Sequence, residues 1–289
     1  MHPIYYFTDI HGHYRLYKAI IDWCIKQDDQ SCIIFGGDSC DRGKDGYKIM
    51  RELLHNSQVG YLKGNHEDLF TKAARALIGH CAQSDELYSK LKSKDIKIAE
   101  SLIQNCVLPD VVLHKNNGGY DTLVQWIIDG ADEDFISIIE DLPLTFSYQN
   151  LDFCHAGSVY EIFERVYEAE YNQAQTNNND IFALLWDRNN LPLGWKTDRI
   201  CVFGHTPTIS LPAGIYGRDK SVVHAHPCAW QDKMDAKDKR GGWKIDMDTA
   251  AIWSDRAFVL DCHTLETIEF YDNKKDIIIT KHNKKLLLK

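Results

Sequence analysis

The segment Gly36-Gly37-Asp38-Ser39-Cys40-Asp41-Arg42-Gly43 concentrates residues that can do chemistry. Two carboxylates and an arginine stand there among glycines, directly after an apolar run that reads as a buried strand. Carboxylate oxygens bind hard or borderline cations, and glycine lets the backbone turn sharply and approach a ligand closely. Taken alone, such a segment is more typical of an ordinary turn, so its meaning depends on the rest of the chain.

Four further segments share its design, in which an apolar, strand-like run ends in a polar loop that carries Asp, Asn or His. They are 8–13 after 4–7, 64–67 after 59–62, 154–157 after 151–153, and 204–206 after 200–203. In an open α/β sheet, functional sites form beyond the carboxyl ends of the strands. A succession of such loops therefore predicts one shared site.

The loops contain the ligand types of a catalytic metal centre. The candidate metal ligands are Asp9, His11, Asp38, Asn65, His155 and His205. No cysteine joins them in a pattern, which argues against a structural zinc knot, and mixed nitrogen and oxygen ligands suit Mn, Fe, Zn or Mg. This many ligands exceed the needs of one open catalytic ion and suit two, and Asp38 can bridge both ions through its two oxygens.

Two arginines, Arg42 and Arg188, add positive charge to the predicted site. A pair of divalent ions outweighs the carboxylates of Asp9 and Asp38, so the local charge is positive although the whole chain carries a net charge of -9. Guanidinium groups also match phosphate oxygens bidentately. The pattern predicts a phosphoester substrate.

Apolar periodicity places these loops in a mixed α/β protein. Strands alternate with helices over 14–27 and 46–56, which predicts parallel strands with right-handed crossovers. Residues 67–141 show no convincing strand and are interpreted as a helical cap or insert beside the site, with one helix over 87–103. Strand-like runs occupy 145–148, 243–247, 257–260 and 267–271, the stretch 207–242 is rich in loops, and 277–289 has no assigned structure.

Length and composition limit the function classes. The chain has 289 residues, of which 44% are hydrophobic, and we expect a single domain over 1–289. Negative net charge argues against general nucleic-acid binding, and no apolar run approaches the length of a membrane span. Since the N-terminus lacks a signal-peptide pattern and the cysteines are unpatterned, we expect a cytoplasmic protein with reduced thiols.

Together the motifs resemble those of the phosphoprotein phosphatase (PPP) family of calcineurin-like metallophosphoesterases. The matching segments are Asp9-x-His11-Gly12, Gly37-Asp38-x-x-Asp41-Arg42-Gly43, Gly64-Asn65-His66-Glu67, His155-Ala156-Gly157 and Gly204-His205. Trp186-x-Arg188 and Asn117-Gly118-Gly119 resemble features of bacterial and phage-type serine/threonine protein phosphatases, and 245–249 resembles the closing strand. Thr8 and Ala156 stand where the family usually has glycine.

The resemblance implies a four-layer α/β/β/α metallophosphoesterase sandwich and two divalent metal ions, for which we expect Mn, with Fe, Zn and Mg as alternatives. It implies that Asp9, His11 and Asp38 hold one ion, and that Asp38, Asn65, His155 and His205 hold the other. Arg42 and Arg188 would bind the phosphate. His66, oriented by Asp41, would protonate the leaving alkoxide.

Three functions are compatible with these motifs. The first is hydrolysis of phosphoserine and phosphothreonine in proteins, with phosphotyrosine as a further possibility, and the second is hydrolysis of nucleotides, as in symmetrical diadenosine tetraphosphatases. A non-catalytic metal-binding scaffold is disfavoured because His66, Asp41 and both arginines are present. His114, and the pair His224 and His226 in the loop-rich stretch, match none of the motifs and are interpreted as structural.

Overall fold

The computed structural model describes residues 2–189, 191, 195, 198–211, 226–231 and 242–282. The strands are β1 (Ile4–Phe7), β2 (Cys32–Phe35), β3 (Val59–Tyr61), β4 (Thr145–Tyr148), β5 (Leu151–Cys154), β6 (Ile200–Phe203), β7 (Cys228–Gln231), β8 (Trp243–Asp246), β9 (Arg256–Asp261), β10 (Thr267–Asp272) and β11 (Ile277–His282). The helices are α1 (Tyr14–Gln27), α2 (Gly46–His55), α3 (Asn65–Cys81), α4 (Asp85–Leu91), α5 (Ile96–Asn105), α6 (Pro109–Asn116), α7 (Tyr120–Ile128), α8 (Glu133–Glu140), α9 (Tyr160–Tyr171), α10 (Asn178–Trp186) and α11 (Ala251–Ser254). None of these described helices combines the length and the apolar character needed to cross a membrane.

The strands form two sheets, with the orders β11-β10-β9-β1-β2-β3 and β4-β5-β6-β8-β7. In the first sheet β1, β2 and β3 are parallel, and in the second β5, β6 and β8 are parallel. Parallel neighbours require crossover connections, and α1 and α2 provide them in the first sheet. Because the parallel strands of a sheet end at the same edge, their loops are brought together there.

Buried apolar side chains fill the space between neighbouring layers of the fold. One cluster lies between the sheets and includes Tyr6 of β1 and Phe153 of β5, whose ring centroids are 5.3 Å apart. A second cluster joins the other face of the first sheet to α1–α8. A third joins the other face of the second sheet to α9 and α10. Two sheets flanked by helices therefore confirm the predicted α/β/β/α architecture.

Some predicted elements are wrong or incomplete. The single helix predicted over 87–103 is two helices, α4 and α5, because Lys94 takes a left-handed backbone (φ 59°) and Asp95 caps α5 by accepting the N–H groups of Lys97 and Ile98. The loop-rich stretch contains β7, and the unassigned tail contains β11, which pairs with β10 along its whole length. Of the loop-rich stretch, 212–225 and 232–241 lie outside the described residues.

The helices of region 67–141 are packed into the core of the first sheet. Phe70 of α3 and Trp126 of α7 are fully buried and belong to the same cluster as Phe7 and Phe35 of the sheet. The indole N–H of Trp126 donates to the carbonyl of Asp132 at 3.0 Å, so its one polar atom is satisfied. This packing supports one cooperative unit, and the single-domain organisation over 1–289 stays a prediction.

We predict that Trp126→Ala lowers the free energy of unfolding by about 3–5 kcal/mol, since it removes a large buried side chain and leaves a cavity. If the helices and the sheet form one unit, urea unfolding followed by circular dichroism stays a single transition at a lower midpoint. Ile138→Ala is the control, since Ile138 is 52% exposed on α8, and it should change the stability by less than about 1 kcal/mol. Two separate transitions, of which Trp126→Ala moves only one, would contradict the prediction.

Candidate active site

The loops after β1, β2 and β6 are tied to one another by hydrogen bonds that backbone N–H groups donate. The N–H of Asp9 donates to the carbonyl of Gly37 at 3.1 Å, and the N–H of His11 donates to the carbonyl of Asp38 at 3.0 Å. The N–H of His205 donates to both side-chain oxygens of Asp9, each at 3.1 Å. These bonds hold the edges of the two sheets together at the site.

Left-handed backbone conformations are concentrated in these loops. Asp9, His11, Asp38, Asp41, Arg42 and His205 all have φ between 43° and 69°. Residues other than glycine rarely adopt this conformation, which costs on the order of 1–3 kcal/mol each. Such strain persists only where the surrounding contacts impose it, and it is typical of functional sites.

The side chain of Asp38 lies between two groups of imidazoles. Its Oδ2 is 3.5 Å from Nε2 of His11 and 3.8 Å from Nε2 of His66, whereas its Oδ1 is 3.3 Å from Nε2 of His155. Two sets of potential metal ligands result, namely His11, Asp38 and His66, and Asp38, His155 and His205. Asp38 belongs to both, which is the position of a bridging ligand.

Backbone carbonyls determine which ring nitrogen of two histidines faces Asp38. Nδ1 of His11 lies 2.9 Å from the carbonyl of Cys40, and Nδ1 of His155 lies 2.9 Å from the carbonyl of Gly36. A carbonyl can only accept, so these nitrogens carry the protons. When each ring is neutral, its Nε2 presents a lone pair to the site, as in metal-ligating histidines.

His205 faces the site with Nδ1, whereas His11 and His155 face it with Nε2. Its Nε2 faces the carbonyl of Trp186 at 3.3 Å, and its Nδ1 lies 2.8 Å from Oδ1 of Asn65. Oδ1 of Asn65 is also 3.0 Å from Nε2 of His155. An amide oxygen and a neutral Nδ1 both offer lone pairs, so their mutual approach is compatible with a cation between them.

The buried carboxylates make a cation chemically appropriate here. Asp9 and Asp38 are only 1% and 2% exposed, and a buried anion is costly unless it is paired or hydrogen-bonded. The carboxylate of Asp9 accepts one hydrogen bond from the hydroxyl of Thr8, at 2.6 Å, and another from the N–H of His205. Both donors are neutral. The donor set of carboxylates, one amide and imidazoles therefore fits divalent metal ions.

The charge states of the histidines depend on their neighbours. Burial and the adjacent His66 lower the pKa of His11 to about 3, so its ring is neutral, as a metal ligand must be. Burial also opposes charge on His155, but Asp38 and Asp9 outweigh it and raise the pKa of His155 to about 10. A cation bound at Asp38 would replace that proton, so metal uptake would release it.

A hydrogen-bonded pair, His66 and Asp41, lies beside the metal-ligand set. Nδ1 of His66 is 2.7 Å from Oδ2 of Asp41. Asp41 also faces Nε2 of His114, 2.9 Å from both its oxygens, and its Oδ1 accepts the hydroxyl of Thr122 at 2.7 Å. Burial favours protonated Asp41, but His114 and His66 outweigh it and hold the pKa of Asp41 well below its usual range.

Sequence reasoning missed His114 and Thr122 as supports of Asp41. A usable signal lies in the glycines of the Asn117-Gly118-Gly119 segment. The carbonyl of Gly118, at φ 95°, accepts the N–H of Arg42 at 3.0 Å. A Cβ added at Gly119 would lie 2.1 Å from Nε2 of His114, so only glycine leaves room for that ring.

Glu67 is a neighbour of the predicted ligands and braces the loop after β2. Its carboxylate accepts the N–H groups of Asp38, Ser39 and Gly64 at 2.8–2.9 Å. It also accepts the hydroxyls of Ser39 and Tyr61 at 2.7 and 2.8 Å. These bonds fix the backbone from which the Asp38 side chain projects.

The two predicted arginines are placed differently. Arg42 reaches over the site, where Nη1 donates to Nε2 of His11 at 2.6 Å and Nη2 donates to Nε2 of His66 at 2.9 Å. Arg188 is exposed, and its Nη2 donates to the carbonyl of His205 at 3.2 Å. The structure thus brings His11, Asp38, Asn65, His155 and His205 together with His66 and Arg42. The carboxylate of Asp9 lies next to them, at the N–H of His205, but belongs to neither close set of ligand atoms, and Arg188 lies at the rim.

The remaining histidine pair is only partly described. His224 lies outside the described residues, whereas the ring centroid of His226 is 5.4 Å from that of Phe258. His226 therefore contacts the edge of the cluster between the sheets, which agrees with a structural interpretation.

Residues 2–282 match the family model described as calcineurin-like phosphoesterase. No significant match was found among curated protein sequences.

Solved structures that match this chain differ in the activities that their names describe. A protein provisionally assigned as a diadenosine tetraphosphatase is 14% identical, with 97% of this chain and 93% of that chain covered and a TM-score of 0.45. A metallophosphoesterase from Sphaerobacter thermophilus is 11% identical, with coverages of 97% and 88% and a TM-score of 0.45. A cold-active protein-tyrosine phosphatase of a psychrophilic Shewanella species is 12% identical, with coverages of 97% and 80% and a TM-score of 0.44. Similarity at this level does not indicate a shared substrate.

We predict that Asp38→Asn reduces the Mn²⁺ content of the dialysed protein from two ions per chain to one or fewer, because Asp38 would be a ligand of both ions. Elemental analysis measures the number of bound ions. Calorimetric titration should show that the affinity for Mn²⁺ falls by at least about 100-fold, which exceeds the loss typical of residues that only orient metal ligands. Asp129→Asn is the matched control, since Asp129 is 41% exposed and pairs with Arg51. Two tightly bound ions in Asp38→Asn would contradict the bridging role.

Proposed function

The chain belongs to the calcineurin-like phosphoesterase family, and from that premise we propose that it hydrolyses phosphoserine and phosphothreonine in proteins. Membership makes it a hydrolase of phosphoesters within a family that depends on two metal ions. Within the family, the Asn117-Gly118-Gly119 and Trp186-x-Arg188 segments support the bacterial and phage-type PPP branch.

The buried pair of His66 and Asp41 carries the proposal. An alkoxide from serine or threonine is a poor leaving group that needs a proton, whereas a phosphate released from a nucleotide polyphosphate leaves without one. Nδ1 of His66 lies 2.7 Å from Oδ2 of the buried Asp41, and this carboxylate stabilises the charged form of the imidazole ring. His66 is thereby suited to act as a general acid.

Arg42 connects phosphate binding to this proton. In the present arrangement Arg42 donates to Nε2 of His66, so that nitrogen is unprotonated. A phosphate dianion competes for the guanidinium, since a charge-assisted bond is stronger than one to a neutral ring. Once Arg42 turns to the phosphate, Nε2 of His66 is free to hold the proton that the leaving oxygen receives.

The proposed ligands are those at the converging loops. Asp9, His11 and Asp38 would hold one ion, and Asp38, Asn65, His155 and His205 the other, with Mn as the proposed metal. When bound, such a pair supplies a nucleophile from water at neutral pH and neutralises charge on phosphate oxygens. Arg42 and Arg188 would orient the phosphate, and the backbone bonds between the loops keep the ligands in place.

The assay that tests the proposed substrate compares phosphoserine and phosphothreonine peptides with diadenosine tetraphosphate, each with the Mn²⁺-loaded protein. Release of phosphate from the peptides at a higher kcat/KM than cleavage of the nucleotide supports the proposal. Cleavage of the nucleotide alone would assign the site to nucleotide hydrolysis instead.

We predict that His66→Asn lowers kcat on a phosphoserine peptide by about 10²–10⁴-fold, the usual contribution of a general acid. The loss should be smaller on p-nitrophenyl phosphate, because p-nitrophenolate leaves without a proton. His263→Asn serves as the control, since His263 is an exposed histidine in the turn between β9 and β10. An equal decrease in kcat on both substrates, or no decrease on either, would show that His66 is not the general acid.

A further inference from the structure

Trp253 presents an indole ring at the edge of the proposed active site. It lies on α11, is 65% exposed, and has the guanidinium carbon of Arg42 at 5.0 Å from its ring centroid. That separation is within the range of a cation–π contact. The same guanidinium donates to the rings of His11 and His66, so the indole is one side chain away from the proposed site of phosphate binding.

The loop that carries Trp253 is built to hold the ring in place. Ala250 and Asp255 flank α11 with left-handed backbones, at φ 55° and 53°. The N–H of Ala250 donates to Oδ1 of Asp248 at 2.8 Å, and Ala250 is buried. Strained residues in such a short segment need surrounding contacts to hold them.

The far side of the loop is fixed as well. The hydroxyl of Ser254 donates to the carbonyl of Thr249 at 2.9 Å. Asp255 pairs with Lys274, and its Oδ1 lies 3.3 Å from Nε2 of His13. The loop is thus anchored on both sides, while the largest side chain within it projects outward. An exposed aromatic held by a strained and well-anchored loop is suited to contact a ligand.

The chemistry of the leaving group determines what such a ring could contact. In an aryl phosphomonoester the aromatic ring is joined to phosphorus through a single ester oxygen, so a phosphate held by Arg42 keeps the ring near Trp253. Flat aromatic rings gain from offset or edge-to-face contact with an indole. The side chains of phosphoserine and phosphothreonine have no ring to place there.

We propose that Trp253 is a platform for an aromatic leaving group and sets the preference of the site for aryl over alkyl phosphomonoesters. This inference rests on the proposed phosphomonoesterase function. In the reaction with phosphotyrosine, water forms a new bond to phosphorus, the bond between phosphorus and the phenolic oxygen breaks, and that oxygen takes a proton from His66. The products are tyrosine and inorganic phosphate, with no change of oxidation state.

The test compares phosphotyrosine and phosphoserine in peptides of otherwise identical sequence, with the Mn²⁺-loaded protein. Trp253→Leu should lower the ratio of kcat/KM for phosphotyrosine to that for phosphoserine by about three- to tenfold, the usual contribution of an aromatic contact. Trp253→Tyr should retain most of the ratio. Tyr171→Leu, which removes an 81% exposed aromatic at the end of α9, is the control.

Two results would overturn the platform. An unchanged ratio in Trp253→Leu would show that the ring does not contact the leaving group. An equal loss on both peptides would show that the indole only positions Arg42.

A binding measurement separates failure of the platform from failure of the proposed function. Phenylphosphonate and methylphosphonate are titrated calorimetrically into the Mn²⁺-loaded protein, which requires no turnover. The platform predicts a preference for phenylphosphonate that falls about three- to tenfold in Trp253→Leu, and equal preferences in both proteins would overturn it. A protein that cleaves neither peptide but shows this shift would lose the proposed function and keep the platform.

Discussion

The site depends on the burial of two carboxylates where there are few positive charges to balance them. Asp9 accepts hydrogen bonds from neutral donors. Asp38 faces the Nε2 atoms of His11, His66 and His155, and without a metal the proton on His155 balances only part of the buried negative charge. Burying anions in this way is unfavourable unless cations compensate. Divalent ions satisfy that requirement and supply the Lewis acidity that phosphoester hydrolysis needs, so the same electrostatic constraint accounts for the ligand set and for the chemistry.

The fold satisfies this requirement because the strained loops that carry the ligands are attached to the strands of the two sheets. Parallel strands of both sheets direct their carboxyl ends to one place, and backbone hydrogen bonds tie the loops together. Glu67 accepts five hydrogen bonds below the ligands, and His114 and Thr122 hold Asp41. The helices of region 67–141 therefore contribute to the active site through Asp41 as well as to the core.

Strand ends could be predicted from the sequence because each apolar run is followed at once by polar residues, and parallel strands leave few arrangements for their loops. The gathering of Asp9, Asp38, Asn65 and His205 follows from that rule. The contact between His114 and Asp41 could not be predicted, since it joins residues 73 apart in the chain and depends on how α6 packs. The division between α4 and α5 was missed because apolar spacing continues through a turn set by the backbone of Lys94.

Diffraction from crystals of the Mn²⁺-loaded protein, measured at the manganese absorption edge, tests the central claim most directly. A dinuclear centre at this site predicts two anomalous peaks roughly 3.5–4 Å apart, with one oxygen of Asp38 in the coordination sphere of each and Asn65 bound to only one of them. A single peak, or peaks that do not contact Asp38, would contradict a dinuclear centre at this site.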